Sequence, residues 1–88
     1  MTTMVTIPAL RSLAKWRHYQ TAYRVWAIRY GDGSDGLVIE VFGPGSHQRS
    51  VIIRGDVAGI APAAGWQEST DAQRTEVVEA LFDPRRWN

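Results

Sequence analysis

Eighty-eight residues, 44% hydrophobic and 22% charged, form a single domain spanning 1–88, too apolar and too weakly charged for a disordered chain. No cysteine occurs, which excludes disulfide staples, thiolate zinc sites, iron–sulfur clusters and cysteine nucleophiles, and favours a cytoplasmic setting. The net charge of +1 is unevenly laid out: residues 1–31 hold Arg11, Lys15, Arg17, Arg24 and Arg29 and no acid, whereas residues 32–88 hold five arginines against nine acids.

The amino terminus, Met1 to Pro8, has neither a basic region nor a long apolar run, so no signal peptide is expected. Pro8 suits the first turn of a helix, and the good helix formers from Pro8 to Tyr19 predict one there. Leu10, Leu13 and Ala14 make its apolar stripe, Trp16 sits at the edge, and Arg11, Lys15 and His18 form a basic solvent face. From Tyr23 to Tyr30 the β-branched and aromatic residues predict a first strand, with a helix continuing to Ile28 as the competing reading.

Gly31 to Gly36 is a turn, Leu37 to Phe42 a second strand, Gly43-Pro44-Gly45 a type II turn, and Arg49 to Arg54 a third strand. The last two strands form a hairpin with Leu37, Ile39, Val41, Val51 and Ile53 on one face, and Glu40 is expected to pair with Arg49 or Arg54. Residues 57–65 have no period and read as a loop. Thr70-Asp71-Ala72-Gln73 is a capping box that opens a last helix. Its buried stripe is Val77, Val78, Leu81 and Phe82, with Arg74, Glu76 and Glu79 outward, and Asp83-Pro84 stops it. The fold class expected is α+β: helix, three-stranded antiparallel sheet, helix.

Motifs that would carry chemistry fail on spacing. The Gly31–Gly36 segment lacks the alternating ligands and distal glutamate of a calcium loop. Gly43-Pro44-Gly45 joins two strands, whereas phosphate-cradling loops lead into a helix. Arg54-Gly55-Asp56, the adhesion tripeptide, has no secretory context. His18 and His47 sit on different elements with no third ligand, and no serine lies in a nucleophile elbow. No catalytic residue, cofactor or metal is therefore expected, and the chain reads as a non-enzyme.

What stands out is the interleaving of rings and positive charge from Trp16 to Tyr30. Trp, Tyr and Arg are the commonest hot-spot residues of protein interfaces. The expected function is a small interaction module (an inhibitor, adaptor or small subunit, of the kind phages and mobile elements carry) whose partner-binding residues are Arg11, Lys15, Arg17, Arg24 and Arg29. The expected partner is an acidic protein surface, or a second copy in a homodimer, and no membrane is implicated. The alternative is nucleic-acid binding by the same basic aromatic third, with arginines on phosphates and rings on bases. A pI of about 8.2 weighs against it, since dedicated nucleic-acid binders usually exceed about 9.

Overall fold

The computed structural model describes residues 9–45, 47–55, 57 and 59–83. Four strands in chain order, β1 (Ala9–His18), β2 (Thr21–Arg29), β3 (Asp35–Phe42) and β4 (Gln48–Arg54), precede one helix, α1 (Asp71–Leu81). The strands form an antiparallel meander of order β1-β2-β3-β4. The α+β class therefore stands, with one more strand and one fewer helix than the sequence reading expects.

The helix expected from Pro8 to Tyr19 is strand β1 over its described part. Its apparent helical stripe has a specific origin. The β1–β2 register slips between Ser12 and Ala14, leaving Leu13 as the extra residue of a β-bulge. A bulge inverts the alternation, so residues 10, 13 and 14 mimic a helical period while facing different ways. The hairpin turn is equally concealed. Tyr19 takes φ 56°, a left-handed conformation usually left to glycine or asparagine.

The later strands lie within two residues of their expected bounds. Gly36 is required between β2 and β4: a Cβ there would come within 2.5 Å of the Ile53 carbonyl oxygen. At the Tyr30–Ser34 turn, Asp32 Oδ1 accepts from the Ser34 amide at 2.9 Å and its hydroxyl at 2.6 Å. The Gly43–Pro44 peptide is cis, and Gly45 has φ 71°. The 57–65 segment is a loop of turns, closed by Ile60 N–H to the Val57 carbonyl and Gly65 N–H to the Pro62 carbonyl.

Both halves of the expected capping box are present. Thr70 Oγ1 accepts from the Gln73 amide at 3.2 Å, and Gln73 Oε1 accepts from the Thr70 amide at 2.9 Å. The helix lies on one face of the sheet and buries Val78 and Leu81 against it, with Val77 and Phe82 alongside. Val25, Ile39, Val41 and Val78 are fully buried, each contributing roughly 1.5–3 kcal/mol through loss of apolar surface to water. Trp16 stacks on Tyr23 at 5.1 Å and against Trp66 at 6.4 Å, which seals one end of this core.

Three polar placements differ from expectation. Arg74 does not point outward; it donates to the carbonyls of Trp66 and Ser69 at 3.0 and 2.6 Å and lies over the Trp16 ring. Glu79 also turns inward, accepting from Tyr23 and Arg49. Glu40 pairs with neither Arg49 nor Arg54: its cross-strand neighbour on β4 is Ser50, and it accepts from the Trp26 indole at 2.9 Å. Pro8, Asp56, Pro84 and the tail Arg85-Arg86-Trp87-Asn88 lie outside the described residues. Among the described residues, no helix is long and apolar enough to cross a membrane.

Candidate interaction surface

The cations of the described residues fall into two groups. Four arginines are committed to acids: Arg29 to Asp35 at 3.1 Å, Arg49 to Glu79 at 2.8 Å, Arg54 to Asp32 at 2.6 Å, and Arg74 to Asp71 one helical turn away. Arg11, Lys15, Arg17 and Arg24 pair with no described acid. All four lie on β1 and β2. Of the five residues expected to bind a partner, Arg29 thus answers to its own neighbour on β3, and the other four have no acidic partner among the described residues.

Strand register decides where the free cations point. The face opposite α1 can be read in rows across β1, β2, β3 and β4. One end row is Arg17, Ala22, Phe42 and Gln48; the next is Lys15, Arg24, Glu40 and Ser50. Then come Ser12, Trp26, Val38 and Ile52, and finally Leu10, Ile28, Gly36 and Arg54. Lys15, Arg17 and Arg24 are therefore neighbours on one surface. Arg11 is not part of it; it pairs with Ala27 in the register of the helix-covered face.

No described element covers this face. Its far rows are apolar apart from Ser12 and Arg54, the latter paired with Asp32, with Leu10 58% and Ile52 63% exposed and Trp26, Ile28 and Val38 half-buried. Its near rows are cationic. Lys15 stands directly across from Arg24, and like charges in that position destabilise a sheet. Arg24 does not turn to Glu40, its neighbour on the other side, but lies over the Phe42 ring at 5.5 Å. A recess of about 640 Å³ opens among Lys15, Arg17, Ala22, Arg24 and Phe42, where the small Ala22 leaves room between long side chains.

The perturbed ionisations lie elsewhere, chiefly on the covered face. Arg49 donates two hydrogen bonds to Glu79 and holds its carboxyl below the usual glutamate value, against the opposing effect of burial. Burial, then the hydrogen bond to Glu79, pushes the Tyr23 phenol up. The Glu79 contact in turn raises Arg49. In the turn, hydrogen bonds from Ser34 lower Asp32. These groups fasten the helix to the sheet and a turn to a strand.

Ser69, the buried serine, donates to the Gly65 carbonyl at 2.6 Å, and Ser34 is held by Asp32. His18 packs edge-on against Tyr19, and His47 lies on the β3–β4 turn. Among the described residues, no three His, Cys, Asp or Glu side chains gather where they could hold a metal ion.

Sequence reasoning missed Val38, Ile52 and Phe42 as members of the surface, and held Trp26 in the interleaved segment without fixing the way it faces. One signal was present. Leu37 to Phe42 is apolar on both faces apart from Glu40, the pattern of a strand meant to be covered twice. Comparison of this chain with protein families, with curated proteins and with solved structures finds no match in any of the three.

Proposed function

We propose that this chain is a protein-interaction module, an inhibitor, adaptor or small subunit, and that it works through the sheet face its own helix leaves bare. One observation carries the reading: three cations with no acidic partner among the described residues share that face with two largely apolar rows. An exposed patch of this kind is costly in a free monomer and fits a surface that is covered on binding. The lack of cysteine suits a partner met in a reducing compartment such as the cytoplasm.

The make-up of the face favours protein over nucleic acid. Its most exposed apolar residues, Leu10 and Ile52, are aliphatic and give bases no ring to stack on. Trp26 is tied edge-on to Glu40, a carboxylate in the middle of the surface that would repel a phosphate backbone. Self-association across this face is also disfavoured, because Glu40 is the only carboxylate in the four rows and three cations would be set against it.

The test is affinity capture from cells that carry the protein, with the wild type and an Arg17→Glu/Arg24→Glu variant. A discrete partner protein retained by the wild type and lost by the variant, with the variant still unfolding cooperatively, supports the reading. Retention by the variant overturns it. Capture that is nuclease-sensitive and weakens with salt at a log–log slope of about −3 or steeper would transfer the surface to nucleic acid.

A further inference from the structure

We propose that the occupant of the bare face is an acidic amphipathic α-helix of the partner, laid along the strands with its carboxylates over Lys15, Arg17 and Arg24. The inference rests on the interaction reading above and specifies the chemistry of the partner.

Two arguments select a helix. A sheet face is covered by a helix or by another sheet, whereas added strands pair with its edges. The bare face is small. Four strands about 4.8 Å apart and four rows about 7 Å apart give a surface of roughly 15 by 20 Å. A helix of about 14 residues rises about 20 Å and fills that length, whereas a second sheet would overhang it.

The other face already shows how this sheet receives an acidic helix. There α1 sets Val78 and Leu81 into the apolar rows and brings Glu79 to Arg49, which donates to it through both terminal nitrogens at 2.8 and 3.0 Å. Tyr23 adds a third hydrogen bond at 2.9 Å. Lys15, Arg17 and Arg24 stand at the same end of the sheet as Arg49: the row of Arg49 contains Val41, Tyr23 and Trp16, between the rows of Lys15 and Arg17. On the covered side this end of the sheet is met by a helical carboxylate. On the bare side, three cations occupy the matching position with none.

The partner helix would bring leucine-like residues at helical spacing onto Trp26, Val38 and Ile52. Two or three of its carboxylates would enter the recess around Ala22. Arg24 is held over Phe42 and so is already turned away from Glu40, leaving its outer edge for an incoming carboxylate. Lys15 opposite Arg24 then becomes favourable, because the anion between them converts repulsion into two attractions.

The probe is a synthetic helical peptide of about 15 residues, with leucines along one stripe and glutamates beside it. Its controls are the same peptide with lysines for glutamates, a proline-interrupted version, and oligothymidylate. Chemical shifts of the Val38 and Ile52 methyls and the Trp26 indole N–H report occupancy of the bare face. The expected result is saturable, micromolar binding by the glutamate helix, perturbing those groups and leaving Val78 on α1 unmoved. Lys15→Glu/Arg17→Glu should weaken it at least about tenfold. Binding of the lysine or proline peptide equal to the glutamate helix overturns the proposal, as does tighter binding of oligothymidylate or no binding at all. Should the peptide fail while a cation-dependent protein is captured from cells, the helix inference falls alone; if both fail, the interaction reading falls with it.

Discussion

The two faces of this sheet are built from the same four strands, yet they meet opposite fates. On the covered face the charged side chains that meet α1 have partners within the chain, whereas Arg11, farther along β1, pairs with no described acid. Arg49 and Tyr23 converge on Glu79, and Arg74 caps carbonyls of the preceding loop. On the bare face, three cations crowd together with one carboxylate nearby, and that carboxylate is engaged by Trp26. The covered face is arranged for stability. The bare face tolerates arrangements that folding alone would not favour, which is what the proposed interaction surface calls for.

The contrast can be broken at several points, beginning with the core. Ile39→Ala removes a fully buried side chain and should cost about 3 kcal/mol in urea denaturation. Were the loss below about 1 kcal/mol, the assignment of faces would be wrong. Glu79→Gln should cost about 1 kcal/mol at neutral pH, a value already reduced for the solvent screening of a side chain 39% exposed. The sign of its pH dependence is set by the lowered Glu79 value. The ionised carboxylate stabilises the fold fully above the ordinary glutamate range, and that contribution disappears as pH falls through the lowered folded value. Wild type and variant should therefore converge in acid, a prediction checked by denaturation at several pH values.

Smaller effects are expected across the sheet. Ile52→Ser, on a side chain 63% exposed, should change stability by no more than about 0.5 kcal/mol while weakening partner binding. Lys15→Glu should go the other way. It replaces a like-charge cross-strand pair with an opposite-charge one facing Arg24, so thermal unfolding should show a gain of about 0.2–1 kcal/mol in the isolated protein. A variant that folds better and binds worse would be the mark of a cation kept for recognition.

The legible parts of the fold were those with local signals. The capping box at Thr70 and Gln73, the stripe of Val77, Val78 and Leu81, and the glycine-rich turn before β3 each carry their geometry in a few adjacent residues. Strand β1 was not legible, for two physical reasons. Its bulge at Leu13 produces a helical period, and its hairpin turn uses Tyr19 where a glycine would have announced it. Its arginines, lysine, leucines and alanines are also good helix formers, and pairing with β2 overrides that preference.

The candidate surface was half legible. The uneven charge of residues 1–31 pointed to β1 and β2, and four of the five cations named there lack an acidic partner among the described residues. Arg29 could be separated from them only through register, which sets it opposite Asp35. Arg11 could be separated only through the bulge. The apolar rows were hidden because which face of a strand is covered depends on where a distant helix lies, and no local pattern records that.

The most direct test of the central claim compares the two sides in one experiment. A photo-crosslinking residue placed at Ile52 samples the bare face, and one at the exposed Glu76 samples the outer surface of α1. Irradiation in cells that carry the protein should give a discrete protein adduct from position 52 and none from position 76. An adduct from position 76 alone, or a nucleic-acid adduct from position 52, would contradict the account.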